Sequence, residues 1–310
     1  MDYLITGGAG FIGSNIAERL VGQGKSVRVF DNFSSGKREN LANCEDKIEI
    51  IESDLRVLDS VKHAMVGVRH VLHLGAIPSV LRSVEDPHIT NQVNITGTLN
   101  LLMAARDAGV KRVVFSSSSS VYGDTPLLPK REDTTLSPLS PYAVQKLTGE
   151  HYCQIFHHLY KLETISLRYF NVFGPRQDPQ SQYAAVIPRF ITSILNDEPP
   201  TIYGDGKQTR DFSHVENVIE ANLAACVAPD EALGEAFNIA CGSRISLLEL
   251  VDTINSITGK KLQPRFEPAR PGDIRDSQAD IGKAKKQLRW TPCTDFRKGI
   301  EKVVAWYQQR

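Results

Sequence analysis

The sequence predicts an α/β protein built on a Rossmann-like, doubly wound parallel sheet, with a second, smaller α/β domain. Three observations predict it: short apolar segments alternate with amphipathic stretches, a glycine-rich turn joins the first segment to the first stretch, and the alternation breaks after Phe170. Strands alternating with helices form parallel sheets, whose right-handed crossovers bring all strand carboxyl ends to one edge. Ligands of such folds bind at that edge.

Seven short segments rich in Val, Ile, Leu and Phe are the predicted strands of this sheet. They are residues 2–6, 27–30, 48–51, 71–74, 113–115, 164–167 and 236–239. Helical patterns lie between most of them. The patterns cover 11–21, 57–66, 93–108, 142–159 and 216–227, and two more lie near 246–257 and 295–308.

The alternation breaks in a region punctuated by five prolines between residues 175 and 200. Because proline interrupts both helices and strand ladders, we expect the chain to leave the sheet there and to return to it later. The sequence therefore predicts two domains. A cofactor-binding domain would comprise residues 1–170 with 214–239, and a substrate-binding domain residues 171–213 with 240–310.

Composition excludes several classes of function. The 310 residues carry 36 basic and 36 acidic side chains, so no global field recruits nucleic acid or an anionic membrane. No run of about 18 apolar residues predicts a membrane span, and the N-terminus has no charged-then-apolar signal. Five scattered cysteines without a Cys-x-x-Cys pair, and eight scattered histidines, indicate neither a disulfide framework nor a metal site. We expect a reducing, cytoplasmic location.

A glycine-rich turn follows the first predicted strand and opens the first predicted helix. Residues 6–13 read Thr-Gly-Gly-Ala-Gly-Phe-Ile-Gly, which contains Gly-x-Gly-x-x-Gly from Gly8. Glycines let a pyrophosphate approach the backbone, and the helix N-terminus supplies N–H donors. Asp31 ends the second strand, where a carboxylate binds the adenosine ribose and repels a 2′-phosphate. The pattern predicts NAD, while Asp54 is either an adenine contact or a strand-end cap.

Tyr142 and Lys146 lie one helical turn apart in the segment Ser-Pro-Tyr-Ala-Val-Gln-Lys, residues 140–146. The i,i+4 spacing places a phenol and an ammonium on one helix face. Ser140 is a predicted N-cap and Pro141 the first helical residue, so Tyr142 falls in the first turn, where the helix dipole favours an anion. A neighbouring positive charge lowers the pKa of a phenol, so the pair predicts a base. On its own, the spacing also fits an ordinary solvated helix.

Motifs along the whole chain resemble those of the extended short-chain dehydrogenase/reductase family. They are the glycine turn, Asp31, 73–76, 94–98, the serines at 116–120, Tyr142 with Lys146, 168–174, 210–212 and 270–273. Within that family the chain is most similar to nucleotide-sugar 4-epimerases, especially those acting on UDP-N-acetylglucosamine. The resemblance implies NAD as cofactor, a UDP-sugar as substrate, and a homodimer formed through the helices near 93–108 and 142–159.

The resemblance also implies a reaction, in which a hydride leaves C4 of the sugar and returns to the other face of a 4-keto intermediate. Tyr142 would take the hydroxyl proton, Lys146 would hold Tyr142 ionised, and Ser118 would bind the sugar oxygen. Ser118 lies four residues before the Tyr of Val-Tyr-Gly, and one residue of register error would exchange it with Ser117 or Ser119. Family members that dehydrate a hexose carry Asp-Glu after this serine; this chain has two serines, so dehydration is disfavoured.

Binding residues follow from the resemblance by position. Those implied for NAD are Gly7, Gly10, Phe11, Ile12, Gly13, Asp31, Asn32, Asp54, Leu55, Leu74, Ala76, Tyr142, Lys146 and Tyr169. Those implied for the UDP-sugar are Ser79, Ser118, Tyr142, Asn171, Ala185, Val186, Arg210, Arg270, Asp273 and Ser277. Guanidinium groups suit a pyrophosphate, although in isolation both arginines would be assigned to salt bridges with Asp211 or Asp273. Ser79 would equally serve as a helix cap.

One position bears on the sugar. Relatives restricted to non-acetylated hexoses carry Tyr at the fourth position after the Asp of Arg-x-x-Asp, where this chain has Ser277. A smaller side chain leaves room for a 2-acetamido group, so we expect UDP-GlcNAc and UDP-GalNAc as substrates, with UDP-Glc and UDP-Gal slower. The alternative is a UDP-hexuronic acid 4-epimerase, with Ser79 and Arg82 for the carboxylate. A non-catalytic NAD-binding protein is disfavoured because Tyr142 and Lys146 are both present.

Overall fold

The computed structural model describes residues 1–178, 186–269 and 275–309. Thirteen strands lie in this part of the chain, and most coincide with apolar segments. They are β1 Tyr3–Thr6, β2 Val27–Asp31, β3 Ile48–Glu52, β4 His70–His73, β5 Arg112–Ser118, β6 Glu163–Tyr169, β7 Val172–Phe173, β8 Thr201–Tyr203, β9 Thr209–Arg210, β10 Ser213–His214, β11 Ala236–Ile239, β12 Ile245–Ser246 and β13 Arg265–Glu267.

Ten α-helices connect or follow these strands in the described residues. They are α1 Phe11–Gly22, α2 Leu58–Ala64, α3 Val80–Glu85, α4 Pro87–Asn91, α5 Gly97–Asp107, α6 Pro141–Tyr160, α7 Val186–Leu195, α8 Val215–Cys226, α9 Leu247–Thr258 and α10 Phe296–Gln308. The helix predicted over 93–108 begins as a π-helical stretch, Gln92–Thr96, before α5. No helix in the described residues is long and apolar enough to cross a membrane.

The central sheet has seven strands in the order β11-β6-β5-β4-β1-β2-β3, and every neighbouring pair is parallel. The chain runs outward from β1 through β2 to β3 and then returns to place β4 on the other side of β1. The strand order therefore reverses between β1 and β4, which opens a crevice at their carboxyl ends. The predicted α/β class with a doubly wound parallel sheet is confirmed.

Each face of the sheet has its own apolar core. The consecutive residues Leu4 and Ile5 of β1 enter opposite cores, because side chains alternate along a strand. Ile16 of α1 and Val218 of α8 belong to the core of Ile5, whereas the core of Leu4 contains residues of α2, α5 and α6. Helices on both faces bury the sheet and leave its carboxyl edge as the accessible side.

A third core gathers apolar residues of α7, α9 and α10 with Phe173, Ile202 and Phe212. It lies within the two segments proposed for the substrate domain. However, Ala279, Trp290 and the apolar residues between them pack into the core of Ile5. Part of the segment 240–310 therefore packs with the sheet, and the division into domains stays a prediction.

Candidate active site

The helix α6 begins beside the crevice and is anchored there by two serine hydroxyls. Ser140 caps the helix, its side chain accepting a hydrogen bond from the Ala143 N–H at 3.2 Å. The Tyr142 N–H, which has no partner within the helix, donates to the Ser83 hydroxyl of α3 at 3.0 Å. Pro141 occupies the first helical position as predicted. These contacts fix the first turn, and with it Tyr142.

A glycine sets the distance between α6 and the sheet. A Cβ atom on Gly149 would overlap the ring of Phe115 on β5, so only glycine permits this approach. Lys146 then reaches the strand end, and its Nζ donates to the Ser116 carbonyl at 2.7 Å. The same Nζ lies 5.1 Å from the ring centre of Phe115 and 5.8 Å from that of Tyr142.

The serines that follow Phe115 have separate partners. The Ser117 hydroxyl donates to Glu150, which lies on the same helix one turn beyond Lys146. The Ser118 hydroxyl is hydrogen-bonded to the Tyr142 phenol and also accepts from the Ser120 N–H at 3.1 Å. Neighbouring strand residues face opposite sides. The structure thus places Ser118, and not Ser117, beside the phenol, as the motif count predicts.

Burial governs the acid–base properties of the pair. It raises the pKa of Tyr142 to about 12, against the opposing hydrogen bond from Ser118. It lowers the pKa of Lys146 to about 8, against the opposing effects of Cys153 and the Glu150 carboxylate. The expectation that Lys146 and the helix dipole lower the phenol pKa is therefore wrong here, because burial outweighs both, and the ammonium donates to a carbonyl instead.

A cleft of about 470 Å³ occupies the carboxyl edge of the sheet in front of these groups. All fourteen residues that the sequence assigns to NAD line it, together with Ser118 and Asn171. They come from the turns after β1, β2, β3, β4, β5 and β6 and from α6. Convergence of all these turns at one edge is what the doubly wound topology produces.

The glycine turn has the shape that a pyrophosphate needs. Gly7 has φ +67°, and a Cβ there would lie 2.8 Å from the Gly75 nitrogen. A Cβ on Gly13 would overlap the Gly7 carbonyl oxygen. Gly10 is the N-cap of α1 and has no side chain to cap it, so the first N–H groups of the helix face the cleft. A dinucleotide fits this cradle and a side chain does not.

Two carboxylates line the adenosine end of the cleft. Asp31 accepts from the N–H groups of Ala9 at 2.9 Å and Phe33 at 2.8 Å, which holds the loop after β2 against the glycine turn. Asp54 is held by the Arg56 guanidinium at 2.8 and 2.9 Å and by the Asn32 amide at 2.7 Å. These hydrogen bonds, Arg56 first, hold the pKa of Asp54 at about 2. Arg56 also lines the cleft, which the sequence did not indicate.

A second cavity of about 250 Å³ adjoins the cleft, and the two share Asn171 and Val172. Val186 and Arg210, two residues that the resemblance implies for the UDP-sugar, line it; Arg210 donates to the carbonyls of Thr209 at 2.9 Å and Arg275 at 3.0 Å. The sequence did not indicate the other polar residues that line this cavity. They are Arg189, Thr201, Tyr203 and Gln208.

Asp211 is a structural residue of this second region. Its carboxylate accepts from the N–H groups of Cys241 at 2.9 Å, Gly242 at 3.0 Å and Ala279 at 3.1 Å. Burial raises its pKa to about 6, and these hydrogen bonds oppose that rise. Asp211 thereby ties three chain segments together beside Arg210, a role different from the ion pair considered from the sequence.

Two predicted substrate residues lie outside the described linings of both cavities. Ser79 caps α3, accepting from the Arg82 N–H at 3.2 Å, in the backbone conformation φ 147°. Ser277 is buried, and its N–H donates to the Thr209 carbonyl at 3.1 Å, next to Arg210. Three more fall outside the described residues: Ala185, Arg270 and Asp273. Their roles, and that of Ser277, stay predictions.

Two supporting residues had a recognisable signal. Glu150 continues the i,i+4 series of Tyr142 and Lys146 on the same helix face. Arg168 is the penultimate residue of β6, and its signal is a charge inside an apolar strand. Ser83 had no such signal, because its contact with α6 depends on how α3 packs.

Residues 3–240 match the family model described as "NAD dependent epimerase/dehydratase family". A UDP-glucose 4-epimerase from Mycolicibacterium smegmatis is 39% identical, covering 100% of this chain and 99% of its own. A UDP-glucuronate 4-epimerase from Thermodesulfobacterium geofontis is 34% identical, covering 99% and 96%. The solved UDP-N-acetylglucosamine 4-epimerase from Methanobrevibacter ruminantium, in complex with UDP-N-acetylmuramic acid, superposes with a TM-score of 0.95 at 41% identity, covering 99% and 98%. The chain belongs to the NAD-dependent epimerase/dehydratase family, and its cofactor is NAD.

Proposed function

We propose that this UDP-sugar 4-epimerase interconverts UDP-N-acetylglucosamine and UDP-N-acetylgalactosamine, with UDP-glucose and UDP-galactose as slower substrates. The observation that carries the epimerase assignment is the position of Tyr142 and Ser118 in the cofactor cleft, near the point where it meets the second cavity at Asn171. The similarity to a solved UDP-N-acetylglucosamine 4-epimerase and the small Ser277 support the acetylated sugar.

NAD, when bound, supplies the hydride acceptor and donor and a positively charged ring. The glycine turn and Asp31 would hold its pyrophosphate and adenosine ribose, and Lys146 its nicotinamide ribose. Ser118 would hydrogen-bond the C4 oxygen, and the Tyr142 oxygen takes the C4 hydroxyl proton and later returns it. With a pKa of about 12 the phenol is protonated at neutral pH, so Tyr142 becomes a base only when a further positive charge lies beside it.

The second cavity would hold the nucleotide part of the substrate. Arg210 suits the pyrophosphate, because a guanidinium presents parallel donors to phosphate oxygens. Arg270 and Asp273 are expected to complete this contact, Ala185 and Val186 to contact uracil, and Asn171 to orient the sugar. With serines instead of an Asp-Glu pair after Ser118, no carboxylic acid stands ready to remove water, so epimerisation is favoured over dehydration.

A UDP-hexuronic acid is the second candidate substrate. Arg82 of α3 lines the cofactor cleft on the side of Tyr142, where a guanidinium suits a sugar carboxylate. The similarity to a UDP-glucuronate 4-epimerase supports this candidate as well. Arg82→Ala would remove turnover of an acidic sugar and spare neutral ones.

The test is separate incubation of the purified protein with UDP-N-acetylglucosamine, UDP-glucose and UDP-glucuronate, with each product measured by chromatography. We expect turnover in the order given. The Ser277→Tyr variant should lose turnover of the acetylated sugar first, and Ser277→Ala, the matched control without added bulk, should retain it. Turnover of UDP-glucuronate alone, or equal loss of both neutral substrates in Ser277→Tyr, contradicts the proposal.

We also propose a homodimer formed through α5 and α6. Helix α6 exposes the apolar side chains of Val144, Ile155 and Leu159, and exposed apolar stripes mark interaction surfaces. Light scattering should give a mass near 69 kDa, about twice the 34.4 kDa of one chain. A monomeric mass at micromolar concentration would contradict the dimer. The Leu159→Glu variant should have a mass closer to that of the monomer than the wild-type protein has.

A further inference from the structure

The face of α6 that bears Tyr142 and Lys146 continues with a third polar residue, Glu150. The three residues follow one another at i, i+4 and i+8, and all contact the end of β5. Glu150 is only 7% exposed and Lys146 only 5% exposed. A buried carboxylate is costly unless its oxygens are hydrogen-bonded and its charge is compensated.

Glu150 meets both conditions. The Arg168 guanidinium of β6 donates to its Oε1 at 2.9 Å and to its Oε2 at 2.7 Å, and the Ser117 hydroxyl also donates to Oε1. Arg168 in turn donates to the Tyr122 phenol oxygen at 2.8 Å, and this phenol donates to Asn238 Oδ1 at 2.6 Å. The fork geometry holds the carboxylate in one orientation.

Few other charges act on Lys146. Its helix contributes Tyr142 and Cys153, and burial raises the pKa of each to about 12, so both are neutral at pH 7. On β4, burial lowers the pKa of His73 to about 3, so this ring is neutral too. On β6, Arg168 is already paired with Glu150. Among the described groups around Lys146, Glu150 is therefore the anion.

From these contacts we propose that Glu150 is a positioning residue of the reaction: clamped by Arg168 and Ser117, it keeps Lys146 protonated and ties α6 to the end of β5. Burial lowers the pKa of Lys146 toward 8, and the carboxylate opposes that fall. A neutral Lys146 would no longer favour the phenolate. The inference rests on the proposed roles of Tyr142 and Lys146 but not on the choice of sugar.

The test is an NMR titration of protein labelled at the lysine ε-carbon, with the Lys146 signal assigned by its absence in Lys146→Arg. In Glu150→Gln we expect the Lys146 midpoint to fall by about one pH unit or more, the usual effect of a neighbouring charge. The alkaline limb of the pH–rate profile should fall by the same amount. A residue that only supported the fold would change stability without moving either midpoint.

Glu150→Gln leaves Arg168 buried without a counter-ion and risks unfolding the protein. The double variant Glu150→Gln with Arg168→Met removes both charges. Its Lys146 midpoint should lie below that of wild type by less than in the single variant, because loss of the Arg168 cation offsets part of the effect. Glu132→Gln is the matched control, because Glu132 accepts from the Asn238 N–H at 2.8 Å at the far end of the same network. It should leave the midpoint unchanged.

An unchanged Lys146 midpoint in both Glu150 variants would overturn the proposal, as would an equal shift in Glu132→Gln. Failure of the proposed function gives a different result. In that case the wild-type protein turns over none of the UDP-sugars, while the Lys146 signal still moves in the Glu150 variants.

Discussion

The cofactor cleft and the second cavity adjoin at Asn171, yet they are assembled in different ways. Much of the cleft wall consists of short turns that directly follow strands of the parallel sheet, such as residues 7–10 after β1 or 32–36 after β2, and helix α6 completes it. The second cavity collects side chains from α7, β8, β9 and α9, which lie outside the central sheet. The first site follows from topology, whereas the second depends on how separate segments pack.

The two sites also differ in the roles expected of them, the chemical step in the cleft and the binding of the substrate in the second cavity. The cleft holds the groups proposed to move a proton, and a single helix, α6, supplies two of them. The described lining of the second cavity presents guanidinium, amide, hydroxyl and phenol groups, none of which is poised to act as a nucleophile or a base. We therefore expect changes in the cleft to reduce the rate of the chemical step, and changes in the second cavity to alter substrate affinity.

The largest effect should come from the cleft. Tyr142→Phe removes the proton acceptor and should lower kcat by about 10²–10⁴-fold, the range for loss of a general acid–base group. NAD affinity should stay near wild type, because the phenyl ring still fills the site. Initial rates and isothermal titration of NAD measure the two quantities. Tyr160→Phe, a change on the exposed part of α6, is the control. A kcat of Tyr142→Phe within tenfold of the wild-type value would contradict the role of Tyr142 as the proton acceptor.

A substitution of Lys146 tests the same cleft through its effect on the free energy of unfolding. Burial lowers its pKa in the folded protein to about 8 from 10.5, so between these values the folded state binds fewer protons than the unfolded state. Burial of the ammonium therefore destabilises the fold fully below pH 8, and the penalty fades as pH rises to 10.5. Lys146→Met should stabilise the protein at pH 7 by up to roughly 3 kcal/mol, at about 1.36 kcal/mol per pKa unit, while activity falls.

Denaturant unfolding at pH 7 and at pH 10 measures this effect. The advantage of the methionine variant should shrink at the higher pH. A variant less stable than wild type at pH 7 would show that the hydrogen bond from Lys146 to the Ser116 carbonyl outweighs the burial of its charge.

The contrast also explains what the sequence predicted well. The glycine turn, Asp31 and the Tyr142–Lys146 pair lie within short segments whose local conformation places them, so motif and topology located most of the cleft but not Arg56. Arg189 and Tyr203 belong to α7 and to the end of β8, and neither segment indicates which partner it packs against. The pKa of Tyr142 was mispredicted for a related reason, since burial is a property of the packed protein and not of i,i+4 spacing.

A substitution in the second cavity should change the affinity for the UDP-sugar. Arg210→Ala is expected to raise KM for the UDP-sugar by about 10- to 100-fold, since a hydrogen bond to a charged group contributes about 1.5–3 kcal/mol. Affinity for NAD should not change. Steady-state kinetics with NAD titration in parallel would reveal this, with Arg297→Ala, which removes an exposed pair with Glu301 on α10, as the control. Loss of NAD affinity in Arg210→Ala would contradict the expectation that NAD binds only in the cleft and the nucleotide part of the substrate in the second cavity.

The smallest effect concerns the rim of the cleft. Arg56→Ala removes the partner that orients Asp54, and this ion pair is partly exposed, so its contribution is about 1 kcal/mol or less. We expect NAD affinity to fall by about two- to fivefold without a change in kcat at saturating NAD. Calorimetry would measure it against Arg131→Ala, a comparable exposed pair far from the cleft. A tenfold or larger loss would make Arg56 a direct contact of the adenine.

Gly149 does not line the cofactor cleft, yet it determines how far the phenol stands from the strand-end serines, because a single added methyl group would overlap Phe115. In a saturation mutagenesis screen ranked by activity alone, Gly149 would be grouped with Tyr142 and mistaken for a participant in the chemistry. A parallel ranking by protein abundance would tell them apart: substitutions at Gly149 would lower both scores, and Tyr142→Phe only the first. Redesign of this fold for new sugars should therefore leave that helix spacing untouched.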